Sequence, residues 1–96
     1  MSMEEQAKKI AELLRLLANE NRLLILCALI ESPLTVTELA KFLPAITQSA
    51  LSQHLLLLKT AGLLDSKKSG QHVTYAIADE RINIVIQTLK QQYCDK

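Results

Sequence analysis

Aromatic side chains make up only 3% of this 96-residue chain and tryptophan is absent, although hydrophobic residues reach 49%. A leucine-rich interior without large rings favours packed helices over a sandwich or barrel. Glycine and proline occur twice each, so little of the chain is loop, and no repeat or linker interrupts it. No run approaches the ~20 apolar residues of a membrane-spanning helix. Met1 to Lys9 carries acids where a signal peptide would carry a basic end, so the expected compartment is the cytoplasm. A glycine-rich phosphate loop, a nucleophile elbow and a Cys-x-x-Cys pair are all missing, which makes an enzyme the least favoured class.

Charge of one sign is also scarce. The formal net charge is +1 and the pI is about 7.8, below the ~9 of many nucleic-acid-binding domains. Residues 1–46 hold five Lys/Arg and six acids, residues 47–77 hold three Lys and Asp65, and residues 78–96 hold three of each. Any affinity for a polyanion must come from a local patch in the middle segment, doubled by symmetry. At this length the whole chain, 1–96, is expected to be one domain. Such a domain buries only about two-thirds of its unfolded surface, so an apolar seam left outside is more naturally a subunit interface.

Periodicity predicts four helices, a hairpin and a fifth helix. The first, about Glu4 to Leu17, sets Ile10, Leu13, Leu14 and Leu17 on one stripe. Asn19 can cap a second, about Glu20 to Ile30, stopped by Ser32-Pro33 and apolar nearly all round, hence expected inside. Thr35-Val36-Thr37-Glu38 has the form of a capping box for a short third helix that ends near Leu43-Pro44.

The fourth helix, about Thr47 to Thr60, places Leu51, Leu55 and Leu58 on one side and Ser49, Ser52, Gln53 and Leu56 on the other, with Gln48 and Lys59 flanking. Serine and glutamine suit the donors and acceptors of base edges, and they also occur on inert solvated surfaces. The segment after this helix favours the first use. Leu64 to Lys68 and His72 to Ile77 read as two strands around Ser69-Gly70, with Lys67 and Lys68 approaching the tip and Val73, Tyr75 and Ile77 alternating inward. A polar-faced helix running straight into a basic hairpin is the order of a winged helix-turn-helix, whose partner is double-stranded DNA. Asp79 then caps a last helix, about Glu80 to Tyr93, with Ile82, Val85, Ile86, Leu89 and Tyr93 as a second seam. The two terminal seams point to a homodimer.

The chain resembles the ArsR/SmtB family of small dimeric winged-helix repressors over almost its whole length. Asn21-Arg22-Leu23-Leu24-Ile25-Leu26, Gln48-Ser49-x-x-Ser52-Gln53-His54-Leu55, Leu58-Lys59-x-Ala61-Gly62-Leu63 and the Gly70 to Ile77 hairpin carry the likeness. By that resemblance Gln48, Ser49, Ser52 and Gln53 read an inverted-repeat operator. His54 and Lys59 are expected beside them at the DNA, and Lys67, Lys68 and Gln71 support the contact from the wing. The family often has Arg after the wing glycine; here Gln71 stands there.

Metal sensing is not expected. The third helix has no Cys-x-Cys, residues 81–96 hold no histidine to join Asp79 and Glu80, and His54 and His72 belong to separate elements. No cofactor is implied. Cys27 and Cys94 remain, and each alone reads as a small hydrophobe, since cytosolic disulfides are rare unless redox-active. Leu24 to Leu29 with Thr88 to Cys94, however, resembles the BigR/SqrR branch of the family, with cysteines at these two places. That resemblance implies sensing of persulfides or related oxidants and control of sulfide-detoxification genes. The alternatives are a redox-blind or metal-responsive repressor of the same family and a winged-helix protein-interaction module.

Overall fold

Each helix starts where a short hydrogen-bonding side chain can answer the free amides of its first turn. The computed structural model describes residues 1–94. Helix α1 (Met3–Leu17) opens with a capping box of Ser2 and Glu5, one residue earlier than periodicity alone places its start. Helix α2 (Glu20–Leu29) is capped by Asn19, whose Oδ1 accepts from the Asn21 and Arg22 amides at 3.0 and 3.1 Å. In α3 (Val36–Ala40) the Glu38 amide donates to Thr35 Oγ1 at 3.1 Å and the Thr35 amide donates to Glu38 Oε1 at 2.9 Å. Helix α3 is about one turn shorter than expected. The chain then tightens through three-residue turns, Lys41 to Glu38, Phe42 to Leu39 and Leu43 to Ala40, before the Pro44 bend. Thr47 caps α4 (Gln48–Thr60) through the Ala50 amide, and Asp79 caps α5 (Glu80–Tyr93) through that of Arg81.

The exit from α4 sets the angle between helix and hairpin. Gly62 stands at φ +86°, its amide donates to Lys59 O, and the Leu63 amide reaches back to Leu58 O, both at 3.0 Å. These two bonds form a Schellman motif, completed by burial of Leu58 and Leu63. Strands β2 (Leu64–Ser69) and β3 (His72–Ile77) follow at once, joined by Gly70 and Gln71. Gly70 at φ +60° followed by a negative-φ Gln71 is the arrangement of a type II′ hairpin turn.

The sheet has one strand more than the expected hairpin. Leu34–Thr35 forms β1, pairing antiparallel with Tyr75 and Thr74, so β3 is the central strand of the order β1-β3-β2. Two residues are too few to show a period, and the only sequence signals there were a helix stop and a cap.

The core is aliphatic. Ile25, Leu26 and Leu29 of α2 meet Leu51, Leu55 and Leu58 of α4, closed by Leu39, Leu64, Ile82 and Ile86. Among the described residues no polar side chain is fully buried and no buried side-chain nitrogen or oxygen lacks a partner. Helix α2 is inside along one face only, since Leu24 is exposed and Cys27 half-buried. Arg22 joins α1 to α2: its Nε donates to Leu16 O at 2.7 Å and Nη2 to Arg15 O at 3.5 Å, serving the carbonyls at the end of α1.

The two apolar seams divide on folding. Leu17, Ile82 and Ile86 go into the core, whereas Ile10 and Leu14 of α1 and Ile84, Val85, Leu89 and Tyr93 of α5 stay exposed. A groove of about 460 Å³ between α1 and α5 runs past Ile10, Leu13 and Val85. No helix among the described residues is long and apolar enough to cross a membrane.

Candidate nucleic-acid interface and thiol pair

Burying Leu51, Leu55 and Leu58 turns the opposite side of α4 to solvent, so Gln48, Ser49, Ser52 and Gln53 are all exposed. Leu56 shares that side at 63% exposure. His54 is half-buried and lies off the outward stripe.

The wing meets the start of α4 across a polar groove of about 250 Å³. Gln48 and Ser52 line one wall, Gln71 and His72 the other, and Thr35 and Thr37 the end. Gln71, placed at the wing tip by sequence, is thereby brought to the reading helix. Thr35, Thr37 and His72 were not picked out by sequence reasoning, because their proximity depends on β1 pairing with β3. The bonds from the Thr35 amide and hydroxyl hold the Glu38 carboxyl below its usual range, and nearby Lys41 and His72 add to this.

The basic residues separate. Successive strand residues face opposite sides. Lys68 pairs across from Val73 and Lys67 across from Thr74, so the two leave opposite faces of the hairpin, Lys67 with Asp65, Ser69, Thr74 and Ala76. The Lys59 Nζ donates to Ser66 Oγ at 2.6 Å, tying the end of the reading helix to β2.

Cys27 and Cys94 lie on the two helices α2 and α5. Helix α5 packs on α2, and Cys94 at its end lies near enough for its charge to be felt at Cys27. Both are free; Cys27 is half-buried and Cys94 exposed. Burial pushes the Cys27 thiol up, the Lys90 ammonium draws it back down, and Cys94 pushes it up again. Cys94 is thus the more accessible thiol and Cys27 the partly screened one. Among the described residues no three His, Cys, Asp or Glu side chains gather as a metal site.

A helix-turn-helix with an exposed polar reading helix and an antiparallel wing defines a winged-helix DNA-binding regulator. Residues 19–66 match the profile of the bacterial regulatory protein, arsR family, and the chain belongs to that family. It is 41% identical over 92 residues to the transcriptional activator HlyU of Vibrio cholerae, covering 96% of this chain and 84% of that one. The structure of reduced HlyU from Vibrio cholerae superposes with a TM-score of 0.89 over 96% of both chains at 41% identity. The transcriptional repressor BigR from Xylella fastidiosa superposes at 0.88 over the full length of both, at 27% identity. The protein is an arsR-family DNA-binding transcriptional regulator and not an enzyme.

Proposed function

We propose that this regulator is a cytoplasmic repressor, a single domain spanning 1–96, that grips an inverted-repeat operator as a homodimer. It lets go when sulfur chemistry joins Cys27 to Cys94. The uncovered apolar residues of α1 and α5 form the dimer seam. Gln48, Ser49, Ser52 and Gln53 read bases in the major groove. Gln71 and Lys68 meet the backbone from the wing, Lys67 and His54 lie at the margin, and Lys59 acts through its bond to Ser66. No metal or cofactor takes part. The genes controlled are those of sulfide and reactive-sulfur detoxification.

One observation supports the switch: α5 packs on α2 and ends at Cys94, whose charge reaches Cys27, while the preceding turns of the same helix present Val85 and Leu89 to the outside. One thiol of the pair and the α5 part of the dimer seam share that helix. The effector is a persulfide, R–S–SH. A cysteine thiolate attacks its outer sulfur, forming protein–S–SH and releasing RS⁻, which takes up a proton. The second thiolate then attacks the protein-bound sulfur and expels hydrosulfide. The sum is R–S–SH and two thiols giving one disulfide, RSH and H₂S, with the outer sulfur reduced as the cysteines are oxidised.

A bridge between positions 67 residues apart removes about 4 kcal/mol of chain entropy when it closes in the unfolded chain. For the switch, its differential effect on the DNA-bound and free dimers is what counts. Tying α5 to α2 moves the seam, and the two α4 helices then miss half-sites ~34 Å apart. The test is operator binding by Cys27→Ser with and without persulfide: the variant should bind and stay bound, and release by persulfide would overturn the switch. Steep loss of affinity with salt is expected of a DNA reader, whereas a protein-only adaptor would show no duplex affinity to lose.

A further inference from the structure

Cys27 does not face a closed interior. It lines a cavity of about 360 Å³, walled by Leu24, Ala28, Leu34 and Phe42, with Lys90 on the α5 side. Phe42 is 52% exposed, although it forms part of an apolar wall. At the ~30 Å³ that liquid water gives each molecule, the space holds roughly ten non-hydrogen atoms, fewer than a tripeptide.

Lys90 is half-buried and sits one turn before Cys94 on the same face of α5, its carbonyl accepting the Cys94 amide at 2.9 Å. The charged groups around Cys27 are therefore Lys90 and Cys94 from α5 and Glu31 from the end of α2. Glu31 is exposed, where solvent screens it, while Lys90 is half-buried and its charge reaches Cys27.

Building on the thiol-sensing reading, we propose that this cavity is a docking site for small anionic reagents that react at sulfur, with Lys90 as the positioning residue that holds the anion over Cys27. The natural ligand class is a sulfane-sulfur donor R–S–SH whose compact, largely apolar R carries one carboxylate or sulfonate. The apolar walls take the body of R, and the ammonium takes its charge. Without a cation there, an attacking thiolate and an anionic donor would repel each other in a partly dry space. The direction of the Cys27 titration agrees, since Lys90 opposes the effect of burial. Transfer runs through the same two balanced displacements, with Cys27 as the first nucleophile, and Cys94 then closes the bridge.

The test uses the full chain with Cys94→Ser, leaving one thiol, and two probes of nearly equal size: iodoacetate, an anion, and iodoacetamide, which is neutral. Second-order alkylation rates are measured by mass spectrometry on the folded protein and on the same chain in urea. The iodoacetate to iodoacetamide ratio should be about tenfold higher folded than unfolded, the effect of one short-range ammonium in a partly wetted site. It should fall to within about twofold of the unfolded ratio in Lys90→Gln or in ~1 M salt, and survive in Lys90→Arg. A folded ratio equal to the unfolded one, or one indifferent to Lys90→Gln in a variant that melts like its parent, overturns the site. Should Lys90→Gln fail to fold, a ratio indifferent to salt in the Lys90 protein does so alone. No DNA enters the assay, so its failure and that of the operator switch are separate results.

Discussion

Replacing Arg22 with methionine keeps most of the apolar stem and removes the guanidinium that serves the end of α1. The 2.7 Å bond from Nε to Leu16 O is charge-assisted, a class worth about 1.5–3 kcal/mol. The 3.5 Å contact to Arg15 O lies at the limit of a hydrogen bond and adds little. A cation at a helix C-terminus contributes about 0.3–1 kcal/mol more. Because Arg22 is only half-buried, the low end of the first range applies, and the sum is about 2 kcal/mol, a factor of about 30 in the folding equilibrium. For a chain of this size that lowers Tm by roughly 8–16 °C. Urea and thermal unfolding must be run at one fixed protomer concentration, since association adds to apparent stability. Arg22→Lys, which keeps the charge and loses the planar fork, should fall between. If Arg22→Met unfolds within about 0.5 kcal/mol of the parent, the range of ordinary surface substitutions, the joint between α1 and α2 has been misread.

Gly62→Ala meets no atom within 4 Å, so its penalty is purely that of φ +86°. The strain of about 1–2 kcal/mol, less about 0.4–1 from a stiffer unfolded chain, leaves a loss near 1 kcal/mol in urea unfolding, and a gain would refute the Schellman exit. Lys59→Met and Ser66→Ala should weaken operator binding equally and fail to add in the double variant, because both break one bond. A drop of ~1 in the salt slope for Lys59→Met alone would instead show a direct phosphate contact. Glu38 titrates lower in the folded protein than in the unfolded chain, so its contribution is present above the ordinary glutamate value and lost as pH falls through the folded value. The stability gap between the parent and Glu38→Gln should therefore close in acid denaturation as pH falls below the ordinary glutamate range, and a gap that widens would contradict the capping box.

Local signals were the legible ones. Asn19, Thr35 and Asp79 were each read as preceding a helix, and the Leu51, Leu55 and Leu58 stripe on α4 left one orientation for the polar side, which exposed Gln48, Ser49, Ser52 and Gln53 as expected. What depends on distant pairing was not legible. Strand β1 exists because β3 offers an edge, and that pairing brings Thr35, Thr37 and His72 to the groove. Adjacent Lys67 and Lys68 looked like one patch until the pleat separated them, and Lys59 looked free until Ser66 was folded against it. The seam on α5 was read as a unit, yet only Ile82 and Ile86 have α2 and its neighbours to pack on. Lys90 gave no signal, because a lysine in a terminal helix gains meaning only from the thiol beside it.

The most direct measurement is the affinity of one protein preparation for one duplex, selected from random sequence against the reduced protein, before and after Cys27 and Cys94 are bridged. A differential effect of about 3 kcal/mol predicts roughly a hundredfold loss on bridging, restored by dithiothreitol. Equal affinity in the two thiol states, with the bridge verified by mass, would contradict the account.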